Sequence, residues 1–353
     1  MRTPHDWKTL LAIFLLALLP AAPALAERLI TDMAGRQVHL PDQVKKVYAV
    51  GHCMPMVGAV APDLLVSGSR LPEQARRFLA PAFFEGKTLP NTGNRFTDEE
   101  VLKMAPDLVV MEAMPGAEER AERLAARLRT PVVLVDLNLL RLKRTFTFLG
   151  EVLQRQAQSQ VLVDFITTHL DPIPAKARSI APEQRQRVYY AEGPDGLSTN
   201  PAGSSHTQVL DYVGGINVAQ VVNLPDEGMS SVSLEQIYLW QPDLILVWTP
   251  AADQLTTWNA IHGNPLWQRV RAVRENRVIQ IPWLPYSWFD RPPSSNRIIG
   301  VLWLAQTLYP QVYQLDLEAL TREYVRKFYH REISPEDARY LLGLAHPQER
   351  KTP

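Results

Sequence analysis

A segment of 16 residues occurs twice in this chain, so the fold must give both copies equivalent surroundings. TDEEVLKMAPDLVVME runs from Thr97 to Glu112 and SLEQIYLWQPDLILVW from Ser233 to Trp248, a constant offset of 136. Each copy opens on a capping box, Thr97 with Glu100 and Ser233 with Gln236, and breaks at Pro-Asp before an apolar, largely β-branched run. Glu99 pairs in register with Glu235, Val101 with Ile237, Pro106 with Pro242, Asp107 with Asp243 and Leu108 with Leu244. A helix feeding a strand, twice, predicts two lobes built alike.

The flanking sequence keeps the same alternation. Short apolar runs stand at 47–50, 64–69, 107–112 and 131–136, then again at 187–192, 243–248 and 277–282, with amphipathic stretches between them. Parallel strands require such helical crossovers, which predicts an α/β fold of two Rossmann-like lobes with mostly parallel sheets. Residues 139–170 carry no proline, one glycine and apolar residues at helical spacing. They predict one long rigid helix of about 45 Å joining the lobes, with a break near Gly150 as the alternative. The expected division is a leader over 1–26, a first lobe over 27–138, the helix over 139–170 and a second lobe over 171–314. A C-terminal extension follows over 315–353, with a helix at LEALTREYVRKFY and no role that the sequence assigns.

The leader has charged residues Arg2 and Lys8, the apolar run LLAIFLLALL, and small residues ending in A-L-A before Glu27. An apolar core of about ten residues is too short to cross roughly 30 Å of hydrocarbon, so this reads as a cleaved signal peptide and a soluble periplasmic protein. Without the leader the chain has 35 basic and 36 acidic residues, which gives no electrostatic case for nucleic acid. The single cysteine, Cys53, leaves no internal disulfide. There is no Walker loop, zinc-protease motif or dinucleotide glycine fingerprint, and neither a cofactor nor a catalytic residue is expected.

Four segments together carry a family resemblance: DMAGRQVHLP, the twin repeats, GSSHTQVLDYVGGINVA from Gly203, and WFDRPPSSNRIIG from Trp288. With them the chain resembles the cobalamin- and ferric-siderophore-binding proteins of bacterial ABC importers, whose lobes are joined by one rigid helix. The resemblance implies a monomer that captures a small ligand between its lobes and delivers it to a membrane permease. It also implies that one surface glutamate on each lobe docks on arginines of the permease, here Glu99 and Glu235. Both sit in a helix's first turn, where the dipole favours an acid in any case.

Ligands of parallel α/β sheets collect beyond the carboxyl ends of the strands. That rule selects His52 and Met54 after the first strand, and Arg70 and Arg95 after later turns of the first lobe. In the second lobe it selects Tyr190, Ser205, His206, Trp283, Tyr286, Trp288 and Arg291. Arginine and histidine suit anions, and aromatic faces beside a cation suit a large planar or chelated ligand. Cys53 and Met56 read as packing, since a single cysteine lacks the spacing of a closed metal site, and the metal, if any, is not identified. The expected ligand is a metal chelate of siderophore, cobalamin or haem type. The alternatives are a small oxyanion such as molybdate or tungstate, a nickel complex, and, remotely, a hydrolase built on Ser205, His206 and Asp211. Ligand size separates the first two, because a chelate needs an open aromatic cleft and an oxyanion a small pocket crowded with donors.

Overall fold

A computed structural model describes residues 27–88, 96–222, 229–248 and 255–343. The predicted leader, Arg95 and the chain beyond 343 lie outside the described residues. The chain opens with a hairpin of β1 (Glu27–Thr31) and β2 (Gln37–Pro41), with Leu29 opposite His39. The DMAGR motif makes its turn. Asp32, 4% exposed, accepts hydrogen bonds from the backbone N–H groups of Ala34 and Arg36, while Gly35 takes φ +87°. Asp32 also accepts from the Leu134 N–H at 3.1 Å, which ties the hairpin to the first sheet.

The first lobe holds β3 (Val47–Ala49), the short parallel pair β4 (Ser67–Gly68) and β5 (Lys87–Thr88), β6 (Leu108–Glu112) and β7 (Val132–Val135). Its main sheet is parallel in the order β3-β6-β7. The second lobe holds β8 (Arg187–Ala191), β9 (Ser198–Thr199), β10 (Ile216–Asn217), β11 (Ser230–Ser231), β12 (Leu244–Val247) and β13 (Val278–Gln280). Its sheet is parallel in the order β10-β8-β12-β13, with β9 and β11 a small antiparallel pair.

The repeat has the same function in both lobes. Both capping boxes form, and the helices Asp98–Met104 and Leu234–Trp240 both end on a left-handed residue, Ala105 at φ 48° and Gln241 at φ 38°. The aspartate of each Pro-Asp pair then accepts from backbone N–H groups of the neighbouring strand's start. Asp107 takes Lys45 and Lys46, and Asp243 takes Arg187. Cap and stop are thus set by local chemistry, while each aspartate fixes register on a strand 56–62 residues away.

Strands buried on both faces read as continuous apolar runs. Tyr48, Val109, Val132 and Leu134 face one satellite core, and Tyr189, Ile245, Val247 and Val278 face another. The opposite faces, Val47, Leu108, Val110 and Val133 in one lobe and Val188, Tyr190, Leu244 and Leu246 in the other, share one core. That shared core is completed by the helix Asn296–Leu308 and by the C-terminal helix Leu317–Tyr329.

The connector is not the single rod but the alternative, two helices broken just past Gly150. In place of one rod the structure has a single 3-10 turn at Leu139–Arg141, a helix Leu142–Val152 and a helix Gln156–His169, folded against each other. Ser159 Oγ donates to Phe146 O at 2.7 Å, a contact that a straight helix would forbid across 13 residues. Gln154 turns the chain at φ 55°. Small residues permit the approach: a Cβ placed on Gly150 would lie 2.5 Å from Ser159 Cβ. Gly150→Ala is therefore expected to destabilise by about 1–3 kcal/mol through overpacking, by urea denaturation. A straight rod would instead gain up to about 1 kcal/mol from helix propensity, so the sign decides.

The extension is part of the body. Phe328 packs edge-on to Phe146 and Phe165, and Tyr329 packs against Phe83. Tyr329 O accepts from Ala80 N–H at 2.9 Å, and His330 Nε2 sits 3.1 and 3.0 Å from the carbonyls of Gly58 and Ala59. The helix Pro335–Leu341 adds the Arg77–Asp337 ion pair.

Candidate functional site

At the carboxyl end of β8 the chain turns into Glu192, which is fully buried. Asn200 Nδ2 donates to its Oε2 at 2.6 Å, and Arg291 Nη2 donates to its Oε1. Asp290, also fully buried, accepts from Tyr190 Oη at 2.7 Å and faces His206 Nδ1 at 2.9 Å and Arg291 Nη1 at 3.7 Å. The Arg291 guanidinium lies over the Trp248 ring, 4.6 Å from its centroid, and its buried Nε finds no hydrogen-bond partner among the described residues. Two buried acids thus hold one arginine and one imidazole at the mouth of the lobe, a geometry favourable only while every charge keeps its partner.

Burial, then the neighbouring Asp290, push the Glu192 carboxyl up to about 7, against the opposing pull of Arg291 and Asn200.

The first lobe answers with His52, whose Nδ1 is 3.0 Å from Glu112 Oε2 at the end of β6. Each lobe therefore fixes one imidazole through Nδ1 on a carboxylate. Nε2 is left as an acceptor in the neutral ring and a donor in the charged one. The lobes also touch directly. Ser294 Oγ donates to His52 O at 2.7 Å, and Tyr286 Oη donates to Ser69 Oγ at 3.1 Å.

Of the residues selected from sequence, Tyr190, His206 and Arg291 meet around Asp290. His52 stands in the other lobe, on Glu112. Met54 is buried, with Ser69 Oγ 3.9 Å from its sulfur. Arg70 is exposed and has no bonding partner among the described residues. The aromatic loop is placed differently from expectation. Trp288 is 2% exposed with Nε1 donating to Leu284 O, Tyr286 is 7% exposed and Phe289 is fully buried. Only Trp283 is partly exposed, packed against the shared core. Ser205 is exposed and makes no hydrogen bond to His206, whose partner is Asp290 and not Asp211, so the hydrolase arrangement is not formed.

Glu112, Asn200 and Trp248 were not among the selected residues. Two of them had a signal: Glu112 and Trp248 are the matched last positions of the repeat, one holding the His52 imidazole and the other lying under the Arg291 guanidinium. Glu99 and Glu235 stand on their matched helices, Glu99 bridged to Lys103 at 2.7 Å and Glu235 fully exposed.

Residues 41–283 match the periplasmic binding protein family. The chain belongs to that family. Like its relatives it is a periplasmic solute-binding protein of an ABC transporter, and no described helix is long and apolar enough to cross a membrane. The molybdate-binding protein MolA of Haemophilus influenzae is 25% identical over 359 residues, covering 94% of this chain and 99% of that protein. The vitamin B12-binding protein of Salmonella choleraesuis is 25% identical over 248 residues, 70% of this chain and 82% of that one. Among solved structures, an ABC transporter solute-binding protein from Sulfurospirillum deleyianum superposes with a TM-score of 0.81 at 28% identity, covering 90% of this chain and 99% of that one.

Proposed function

We propose that the cleft captures a small oxyanion of the molybdate class and that the protein delivers it to its importer. The observation that carries this reading is the sorting of the side chains. Tyr286, Trp288 and Phe289 are consumed by packing, whereas Arg291 and His206 are half-buried and His52 and Arg70 are exposed. Donors crowded between touching lobes suit a compact anion better than a planar chelate. A relative that covers nearly the whole chain and is named for molybdate supports the same choice. Calorimetry against molybdate, tungstate, sulfate and phosphate, beside cobalamin, a ferric siderophore and nickel with histidine, tests it. Saturable binding of a group VI oxyanion is the expected result, and binding of only a chelate would overturn it.

The metal-chelate reading keeps one observation of its own, the paired imidazoles. A carboxylate on Nδ1 is the arrangement that orients a metal-ligating histidine. Should nickel with histidine bind and His52→Ala and His206→Ala both abolish it, that reading takes precedence.

Docking on the permease is assigned to Glu99 and Glu235, from their matched and exposed positions. Charge reversal at both is expected to stop uptake into cells while the dissociation constant of the purified protein stays within about twofold. Uptake at the parental rate would remove these residues from the interface.

A further inference from the structure

Away from the cleft, a hollow of about 350 Å³ opens between the helices Pro172–Ser179 and Gln208–Tyr212, with the Leu139–Arg141 turn at one end. Its size falls in the range of small-molecule sites, about 300–1,000 Å³. Its bottom is closed where Gly214 passes so near the first helix that an added Cβ would lie 3.1 Å from Ala177 Cβ.

The lining is of two kinds. Leu139, Leu140, Pro174 and Tyr212 make an apolar wall, and Leu140 is 75% exposed at the rim without a hydrophobic partner covering it. Arg178, Arg185 and Asp211 supply charge. Among the described residues neither arginine forms an ion pair, and Asp211 forms none either, although all three border the same space. Asp211 is exposed at the rim, and partial desolvation there moves its carboxyl upward from its ordinary value. Arg178 is exposed as well, and Arg185 is half-buried with its Nε donating to Ile180 O at 3.5 Å. An apolar hollow rimmed by an acid and bases that make no ion pair with each other is complementary to a molecule that brings both opposite charges and an apolar body.

We propose that this hollow is a second ligand site, for a hydrophobic α-amino acid. The ligand carboxylate would pair with Arg178 or Arg185, its ammonium with Asp211, and its side chain would lie on Leu139, Leu140 and Pro174. The proposal does not depend on the oxyanion reading, because the two sites share no charged residue. They are nonetheless joined: the Gln208–Tyr212 helix begins two residues after His206, and Gln208 Oε1 accepts from Leu139 N–H and from Arg297 Nη1.

The test uses the folded full-length mature protein and three probes: L-phenylalanine, hydrocinnamate, which has the carboxylate alone, and 2-phenylethylamine, which has the ammonium alone. Calorimetry is expected to give saturable binding of phenylalanine at least tenfold tighter than either half-ligand. Asp211→Asn and Arg178→Ala, both at the rim and both checked by circular dichroism, are expected to weaken phenylalanine at least fivefold. Asp211→Asn should leave the weak binding of hydrocinnamate unchanged. Absence of saturable phenylalanine binding overturns the proposal. So does hydrocinnamate binding as tightly as phenylalanine, which would make the site one for simple acids, or parental affinity in both variants, which would put the ligand elsewhere.

Discussion

Arg291→Ala is expected to lower affinity for the cleft ligand at least a hundredfold and to cost about 3–5 kcal/mol of stability near pH 8, because it leaves the buried Glu192 carboxylate without its cation. The loss should depend on pH, and Glu192 sets the direction. Its carboxyl titrates near 4.5 when unfolded and is pushed up to about 7 in the fold, so the folded protein keeps a proton that the unfolded chain has released. The stability this group contributes is full below about pH 4.5 and is lost as pH climbs to about 7. Without Arg291 the carboxyl rises further and the loss continues above neutrality. Urea denaturation near pH 5 and near pH 8 should show a gap between parent and variant that widens with pH. A gap equal at both would assign the arginine's contribution to its stacking on Trp248. Ligand binding follows the same logic. An anion that engages Arg291 draws it from Glu192, which then takes up a proton. Affinity should fall above about pH 7, by at most tenfold per unit, and Glu192→Gln should flatten the slope.

Gly300→Ala is expected to be the most damaging addition of a single methyl group. Gly300 lies in the helix Asn296–Leu308, beneath the loop that carries Asp290 and Arg291. A Cβ there would fall 1.6 Å from Trp288 O and 2.7 Å from Trp288 C, atoms of backbone with no rotamer to change. The loop itself cannot yield cheaply. Trp288 N–H donates to Pro282 O at 2.9 Å, and Asn296 Nδ2 donates to Ser287 O and Pro292 O. A cost of about 3 kcal/mol or more follows from overpacking of this kind, together with loss of ligand binding as the loop lifts. Thermal unfolding and calorimetry on the same sample measure both. A stable variant with parental affinity would show that the loop does not rest on this helix.

The lobes were legible because their signals are local. Thr97, Ser233, Pro106 and Pro242 set caps and stops that need no tertiary context. The connector was legible only in the alternative of a break near Gly150, since the fold of Leu142–Val152 onto Gln156–His169 depends on Gly150 meeting Ser159, a contact between residues that helical periodicity treats as exposed or neutral. The site was read in part. Strand ends located Tyr190, His206 and His52, but which aromatic residues face outward is decided by packing. Trp288 and Tyr286 therefore looked like ligand surface in the sequence and are interior in the fold. The C-terminal extension had no legible role because its partners, Phe83, Phe146 and Phe165, lie far away in the chain.

The matched repeats invite the view that each half is a self-sufficient module, yet the shared core denies it. Val47, Leu108 and Val133 from one sheet and Val188, Leu244 and Leu246 from the other belong to one interior, sealed by helices from residues 296–341. Either half made alone would bare an apolar sheet face to water and invite aggregation. The intact chain should accordingly melt in one cooperative step, with no stage at which a single lobe survives the other.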